Sequence, residues 1–321
     1  MDVVCLGEVI VDMIAMDRDK TLEQTAGFYK FPGGATANVA VGICRLGGTS
    51  GFWGALADDA FGRFLKNSLK TEGVDVSAMK QRPRERTVIG FIAVKSDQTK
   101  DVIFYRDFES EMFLAPEEIN EQTLSQSLIF HFGIICLRTP LKTQTTLKCL
   151  ELAKKHGSFV SLDVNYRAHA WESREMAYNQ LVRALPNVDL LKMADEEFPL
   201  LFGIPITEQK AEEILKKGPC ALVISHGARG ATVFTEKIKL TVPGFKINAV
   251  ETTGAGDAFT ASLLVQISNV LKQGKSIDTL SSKEWKEILT RCNASGALAC
   301  TKPGAMPAMP RENEVLTLLG K

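Results

Sequence analysis

The chain has 321 residues, 45% of them apolar and 24% charged, which suits a globular protein with one sizeable core. Lys plus Arg and Asp plus Glu both number 38, so the formal net charge is zero and no long-range field draws the chain to nucleic acid or to an anionic membrane. Seven scattered cysteines without a C-x-x-C pair, and only four histidines, argue against a disulfide framework or a structural zinc site and for buried thiols in a reducing compartment.

The first eight residues carry acids where a signal peptide has basic residues, and the most apolar run, 128–137, is too short to span a bilayer, so a cytoplasmic location is expected. In chain order, strand-like apolar runs occupy 3–6, 51–55, 128–135, 159–163, 188–192, 221–225 and 231–235. Helical periodicity occupies 37–46, 61–72, 141–156, 174–185, 208–217, 256–271 and 283–300, and Ser281 to Glu284 forms a capping box before the last of these. Continuous apolar strands alternating with helices predict a three-layer α/β/α domain with a mostly parallel central sheet. Segments 10–32 and 86–106 instead alternate polar and apolar residues, with a turn at Ser96-Asp97-Gln98-Thr99. A small antiparallel lid beside the large sheet accounts for both; an edge hairpin without function is the alternative. With no linker or repeat, 1–321 reads as a single domain.

The chemistry-bearing motifs fall at the ends of these elements. Gly7-Glu8 and Asp12 end the first strand, at the edge where open α/β sheets bind ligands. Gly33 and Gly34 permit close approach of a ligand at a helix entry, and Asn38 offers a donor and an acceptor to vicinal hydroxyls. Asp163, Asn165 and Arg167 follow a buried strand; Arg167 suits a phosphate or an ion pair with Asp163. Asp195-Glu196-Glu197 suits hydrated Mg²⁺ or simply the first turn of a helix. Ser225, Gly227 and Gly230 form a glycine turn that either passes under a nucleotide or links a hairpin. Thr252-Thr-Gly-Ala-Gly-Asp257 follows a strand-like run and opens a helix; its glycines turn N–H groups toward one point, and the helix terminus favours an anion. A carboxylate in such a nest repels phosphate unless it accepts a proton from an attacking hydroxyl. Its plain alternative is a tight turn with an acid in the first helical turn. Gly274-Lys275-Ser276 imitates the end of a P-loop, but position 269 is Asn where that motif needs Gly, and a helix precedes it.

The Gly33-Gly34-x-x-x-Asn38 and Thr252–Phe259 runs resemble the two signatures of the ribokinase (PfkB) family of carbohydrate kinases. The resemblance spans the chain, and Phe104-Tyr-Arg106, 163–167 and 304–307 resemble fructokinases most. It implies a ribokinase-like fold and transfer of the ATP γ-phosphoryl group to a sugar hydroxymethyl group, fructose being the expected acceptor. It implies Asp257 as base, with amides of Gly254, Ala255 and Gly256 holding the phosphoryl group. Asp12, Gly33, Gly34 and Asn38 would bind sugar hydroxyls, and Arg106, Asp163, Asn165 and Arg167 would lie near substrate. Ser225, Gly227, Gly230, Asn293 and Ala297 would line ATP. Glu197 would organise Mg²⁺ through water, and Glu251 and Thr253 would lie near K⁺. Two departures stand out: Glu251 replaces the family's Asp, and Ala194 replaces the Asn of its Asn-x-x-Glu motif. A homodimer paired through the lid is also implied. The alternatives are a 2-keto-3-deoxygluconate kinase, ribokinase or nucleoside kinase of the same family, and a non-catalytic sensor. A dinucleotide-dependent oxidoreductase is disfavoured, since no Gly-x-Gly-x-x-Gly follows the first strand.

Overall fold

A computed structural model describes residues 1–95, 99–105 and 112–321. The strands are β1 (Val3–Leu6), β2 (Ile10–Ala15), β3 (Phe28–Gly33), β4 (Ser50–Trp53), β5 (Ala55–Ala57), β6 (Lys80–Arg82), β7 (Ile89–Val94), β8 (Lys100–Tyr105), β9 (Ile129–Gly133), β10 (Phe159–Asp163), β11 (Leu190–Ala194), β12 (Ala221–Ser225), β13 (Ala231–Thr235) and β14 (Lys239–Val242). The α-helices are α1 (Ala35–Arg45), α2 (Ala60–Thr71), α3 (Glu121–Ser125), α4 (Pro140–His156), α5 (Arg174–Ala184), α6 (Glu197–Phe202), α7 (Glu208–Leu215), α8 (Ala255–Lys272), α9 (Ser282–Ala299) and α10 (Glu312–Leu318).

Eight strands form one sheet in the order β14-β13-β12-β11-β10-β9-β1-β4. The pairs from β12 to β4 are parallel, and β13 and β14 are added antiparallel at one edge. Alternate residues of one strand feed two cores: Val3 and Cys5 pack with α1, α8 and α9, whereas Val4 and Leu6 pack with α4 and α5. This two-sided burial is why β1 reads as an unbroken apolar run, and it gives the expected three layers. Helix starts follow their caps: Asp59 accepts from the Gly62 amide at 2.7 Å, and Ser281 and Glu284 close the predicted capping box. Elements the sequence reading did not predict, such as β5, β6, α3, α6 and α10, are too short to show a period.

The lid is a second sheet in the order β3-β2-β7-β8. Its two antiparallel pairs, β2 with β3 and β7 with β8, meet through a parallel β2–β7 pair. Residues 96–98 of the predicted turn at 96–99 lie outside the described residues, as does Arg106. No helix among the described residues is long and apolar enough to cross a membrane. The C-terminal ends of β1, β10, β11 and β12 and the N-termini of α1 and α8 gather at one edge of the large sheet, under the lid.

Candidate active site

Asp12 sits on β2 with Phe31 and Gly90 as direct cross-strand neighbours, and Gly90 in turn faces Phe104. This row spans the lid, and the Phe104 ring stacks on His169 of the large domain at 5.9 Å. Asp12 is 6% exposed. Burial, with Asp257 and Glu251 nearby, raises its pKa to about 7. A Cβ on Gly33 would land on the Asp12 carboxylate, and one on Gly34, at φ 109°, would strike the Glu8 backbone oxygen. The paired glycines therefore make room for Asp12 and for the sharp entry into α1. On the resemblance to carbohydrate kinases, Gly33→Ala is expected to raise the sugar KM about tenfold while the Mg·ATP KM stays level, because a displaced Asp12 loses about one charge-assisted hydrogen bond. Initial-rate kinetics check this, and an unchanged sugar KM would detach Gly33 from the sugar side. Glu8 is held by a buried ion pair with Lys142 of α4 at 2.8 Å, so of this motif only Asp12 faces the cleft.

Asn38, in the first turn of α1, donates to the Asp257 carboxylate at 2.8 Å across 219 residues of sequence. Asn38 Oδ1 is buried without a hydrogen-bond partner among the described residues. Asp257 stands in the first turn of α8, whose N-cap is Gly254 at φ 83° with no side-chain cap. A Cβ on Gly254 would press on Ala305 at 2.9 Å, so the 304–307 tail closes the back of this turn. The Ala255 amide makes a long bond to Thr252 O at 3.3 Å, whereas the amides of Gly254, Gly256 and Asp257 have no acceptor among the described residues. Bare N–H groups at the positive end of an 18-residue helix form an anion site. Burial raises the Asp257 pKa to about 6; Asn38 opposes the shift, Asp163 adds to it, and Lys192 and Arg167 oppose it.

The strand ends beneath supply charges of both signs. Asp163, expected against substrate, is turned inward: it accepts from Lys192 Nζ at 3.0 and 3.3 Å and from Thr260 Oγ1 at 2.7 Å. With both oxygens engaged and 4% exposure, it is scaffold rather than a sugar ligand. Asn165 adopts φ 41°, a left-handed conformation that swings the chain out of β10 and leaves Arg167 exposed at the cleft. Arg167 Nη1 lies 3.7 Å from Glu197 Oε1, so its ion partner is Glu197 and not Asp163. The Ala194 backbone amide donates to Glu197 Oε2 at 2.8 Å. No group of three His, Cys, Asp or Glu residues that could hold a metal occurs among the described residues.

On the far side, Asp195 N bonds Ser225 O at 2.9 Å, drawing the acidic turn against the glycine turn. Asp195 also pairs with His226 and Arg229, so of the acidic run only Glu197 faces Arg167 and the cleft. Gly227 at φ 56° and Gly230 at φ 106° shape the β12–β13 hairpin that carries Ser225. Asn293 commits its amide to Val242 O and Pro243 O, each at 3.1 Å, and so secures that backbone instead of presenting donors to a base. Ala297 lies one turn further along α9 and is partly exposed. Glu251 is 5% exposed, accepts from Gly304 N at 3.0 Å through Oε2, and leaves Oε1 without a hydrogen-bond partner among the described residues. Thr253 Oγ1 accepts from Lys100 of the lid at 2.6 Å.

This arrangement sets the Asp257 carboxylate between bare helix amides and a buried carboxylate on a lid. Residues 1–312 match the pfkB family of carbohydrate kinases. The chain belongs to that family. It is 35% identical to probable fructokinase-4 of Arabidopsis thaliana, over 99% of this chain and 96% of that one. Fructokinase from Xylella fastidiosa with bound ATP superposes at a TM-score of 0.89 and 27% identity, covering 99% of this chain and 98% of the other. Fructokinase from Vibrio cholerae O395, in a form with fructose, ADP and calcium ion bound, gives 0.84 and 30% over 99% and 98%.

Sequence reasoning on this pfkB-family kinase passed over Lys192, Thr260, Lys100 and His169. Lys192 had a legible signal, a charge inside the apolar run Leu190-Leu191-Lys192-Met193. The other three had none, because a lone Thr, Lys or His takes its role only from what folding sets beside it.

Proposed function

We propose that this kinase transfers the γ-phosphoryl group of Mg·ATP to a hydroxymethyl group of fructose, in line and without a covalent intermediate. The observation that carries the reading is Asp257: a carboxylate in the first turn of α8, bonded to Asn38 and beside amides of Gly254 and Gly256 that have no acceptor among the described residues. It accepts the hydroxyl proton as the oxygen attacks, while those amides stabilise charge on the transferring group. Asp12 and Asn38 orient the sugar, and the lid, resting on His169 and Thr253, excludes the water that would otherwise compete as acceptor. The acceptor is chosen on the relatives named fructokinase and on the fructose-bound neighbour.

Glu197, with one oxygen already bonded to Ala194 N, would hold a hydrated Mg²⁺ through water, and the ion would supply neutralisation of phosphate charge. Glu251 Oε1 suits a monovalent cation such as K⁺. A cytoplasmic site of action accords with seven cysteines that form no disulfide. The lid's outer face carries the Phe28, Phe91 and Tyr105 rings, with Ile103 and Tyr105 48% and 62% exposed. That face supports a homodimer, and light scattering at micromolar protein is expected to give twice the chain mass.

The reading is tested by ADP release with Mg·ATP across fructose, ribose, 2-keto-3-deoxygluconate, adenosine and no acceptor. Fructose is expected to give the fastest turnover. A faster rate with another acceptor would replace the substrate and keep the chemistry. Silence across the panel from folded protein would make the chain a sensor.

A further inference from the structure

Asp163 binds one buried ammonium, that of Lys192 in the middle of β11, and Glu197 and Asp257 lie within electrostatic reach of it. Its hydrogen-bond acceptor among the described residues is Asp163, fixed in turn by Thr260 one turn along α8 from Asp257. A Cβ built on Gly256 would lie 3.3 Å from Lys192 Nζ, so the ammonium is seated against the backbone of the helical turn that carries the base. Gly256 thus leaves room below the turn for a cation as well as space above it for a ligand. Burial lowers the pKa of this lysine, and Asp163 and Glu197 outweigh that and raise it. A buried ion pair is poor evidence for stability, because two charges lose hydration to make it. Its position under the first turn of α8 points to another role.

We propose that Lys192, clamped by Asp163 and Thr260, is a positioning residue that acts through the first turn of α8, holding the Asp257 carboxylate and the amides around it aligned on the transferring phosphoryl group. The inference rests on the kinase reading and on Asp257 as base. The groups facing Asp257 are Asn38 from α1, Asp12 from β2, Lys100 from β8, Asp163 from β10, Arg167 after it and Lys192 from β11. Of the three cations, Lys192 is the buried one, with a side chain 5% exposed against 57% for Arg167. Water screens it least.

The test is Lys192→Met, which keeps an unbranched side chain one atom shorter and removes its charge. We expect kcat to fall about a hundredfold, comparable to loss of one preorganised donor, with both KM values within about threefold of the parent. The acid limb of kcat should also move up by about a pH unit, since a lost nearby cation disfavours the ionised carboxylate, and Lys192→Arg should leave that limb in place. The pair Asp163→Asn/Lys192→Met removes the charge that loss of Lys192 would orphan on its hydrogen-bonded partner and is expected to fold, by circular dichroism and Mg·ATP titration, yet to stay about a hundredfold down in kcat. Recovery of kcat in the folded pair would overturn the proposal, as would a Lys192→Met enzyme whose acid limb does not move. Asp257→Asn is measured alongside: parental kcat there would remove Asp257 from the base role on which this inference rests, whereas a slow Asp257→Asn beside a normal Lys192→Met would sink only this inference.

Discussion

Asp257→Asn is expected to lower kcat by about a hundredfold or more, the usual contribution of a positioned general base, while calorimetry finds Mg·ATP bound as tightly as before. The amide keeps an oxygen for the Asn38 donor, now 2.8 Å away, so the first turn of α8 should hold its shape. What it loses is the ability to take a proton. The parent should also show an acid limb in kcat near pH 6, because Asp257 must be ionised to act and its pKa is raised to about 6, chiefly by burial. Activity is therefore full above the limb and falls as the pH drops through it. An Asp257→Asn enzyme with kcat within threefold of the parent would remove the residue from the base role.

Asp12→Asn should split function from stability. Loss of the carboxylate is expected to raise the sugar KM about tenfold to a hundredfold, the range for one hydrogen bond to a charged group. The same change should raise Tm at pH 8. Asp12 has a folded pKa raised to about 7 against an ordinary 3.8, so between these values the native state holds more protons than the unfolded chain. Stability from this group is then greatest in acid and is lost as pH rises toward 7, leaving an ionised buried carboxylate that destabilises by up to about 4 kcal/mol. Asparagine abolishes that penalty, and the gain over the parent should widen from pH 4 to pH 8 and reach several degrees. Differential scanning calorimetry at both pH values decides it. A variant no more stable than the parent at pH 8 would mean that Asp12 is ionised without strain.

The two glycine motifs were legible because each encodes a backbone requirement that can be recognised locally. Gly254 must reach φ 83° to open α8, and Gly34 must reach φ 109° to enter α1. The large sheet was legible because burial on both faces writes unbroken apolar strands such as Val3 to Leu6. The added strand β14 was less so: with Lys239 and Thr241 exposed at the sheet edge, it carries no apolar run.

Asp163 shows where that legibility ended. In sequence it stands with Asn165 and Arg167 as one polar cluster after a buried strand. In the fold the three part company, Asp163 to Lys192 and Thr260, Asn165 into a left-handed turn, and Arg167 to Glu197. The sequence by itself determined the longer elements and the sheet edge at which the polar motifs gather, and it singled out Asp257 as the candidate base, since periodicity and glycine placement act over a few residues. Only the tertiary structure decided which charges are buried together: Asn38 with Asp257, Lys192 with Asp163, and Asp12 with Asp257 and Glu251. Desolvation and Coulomb interaction depend on distances between segments far apart in the chain, and no local pattern records those distances.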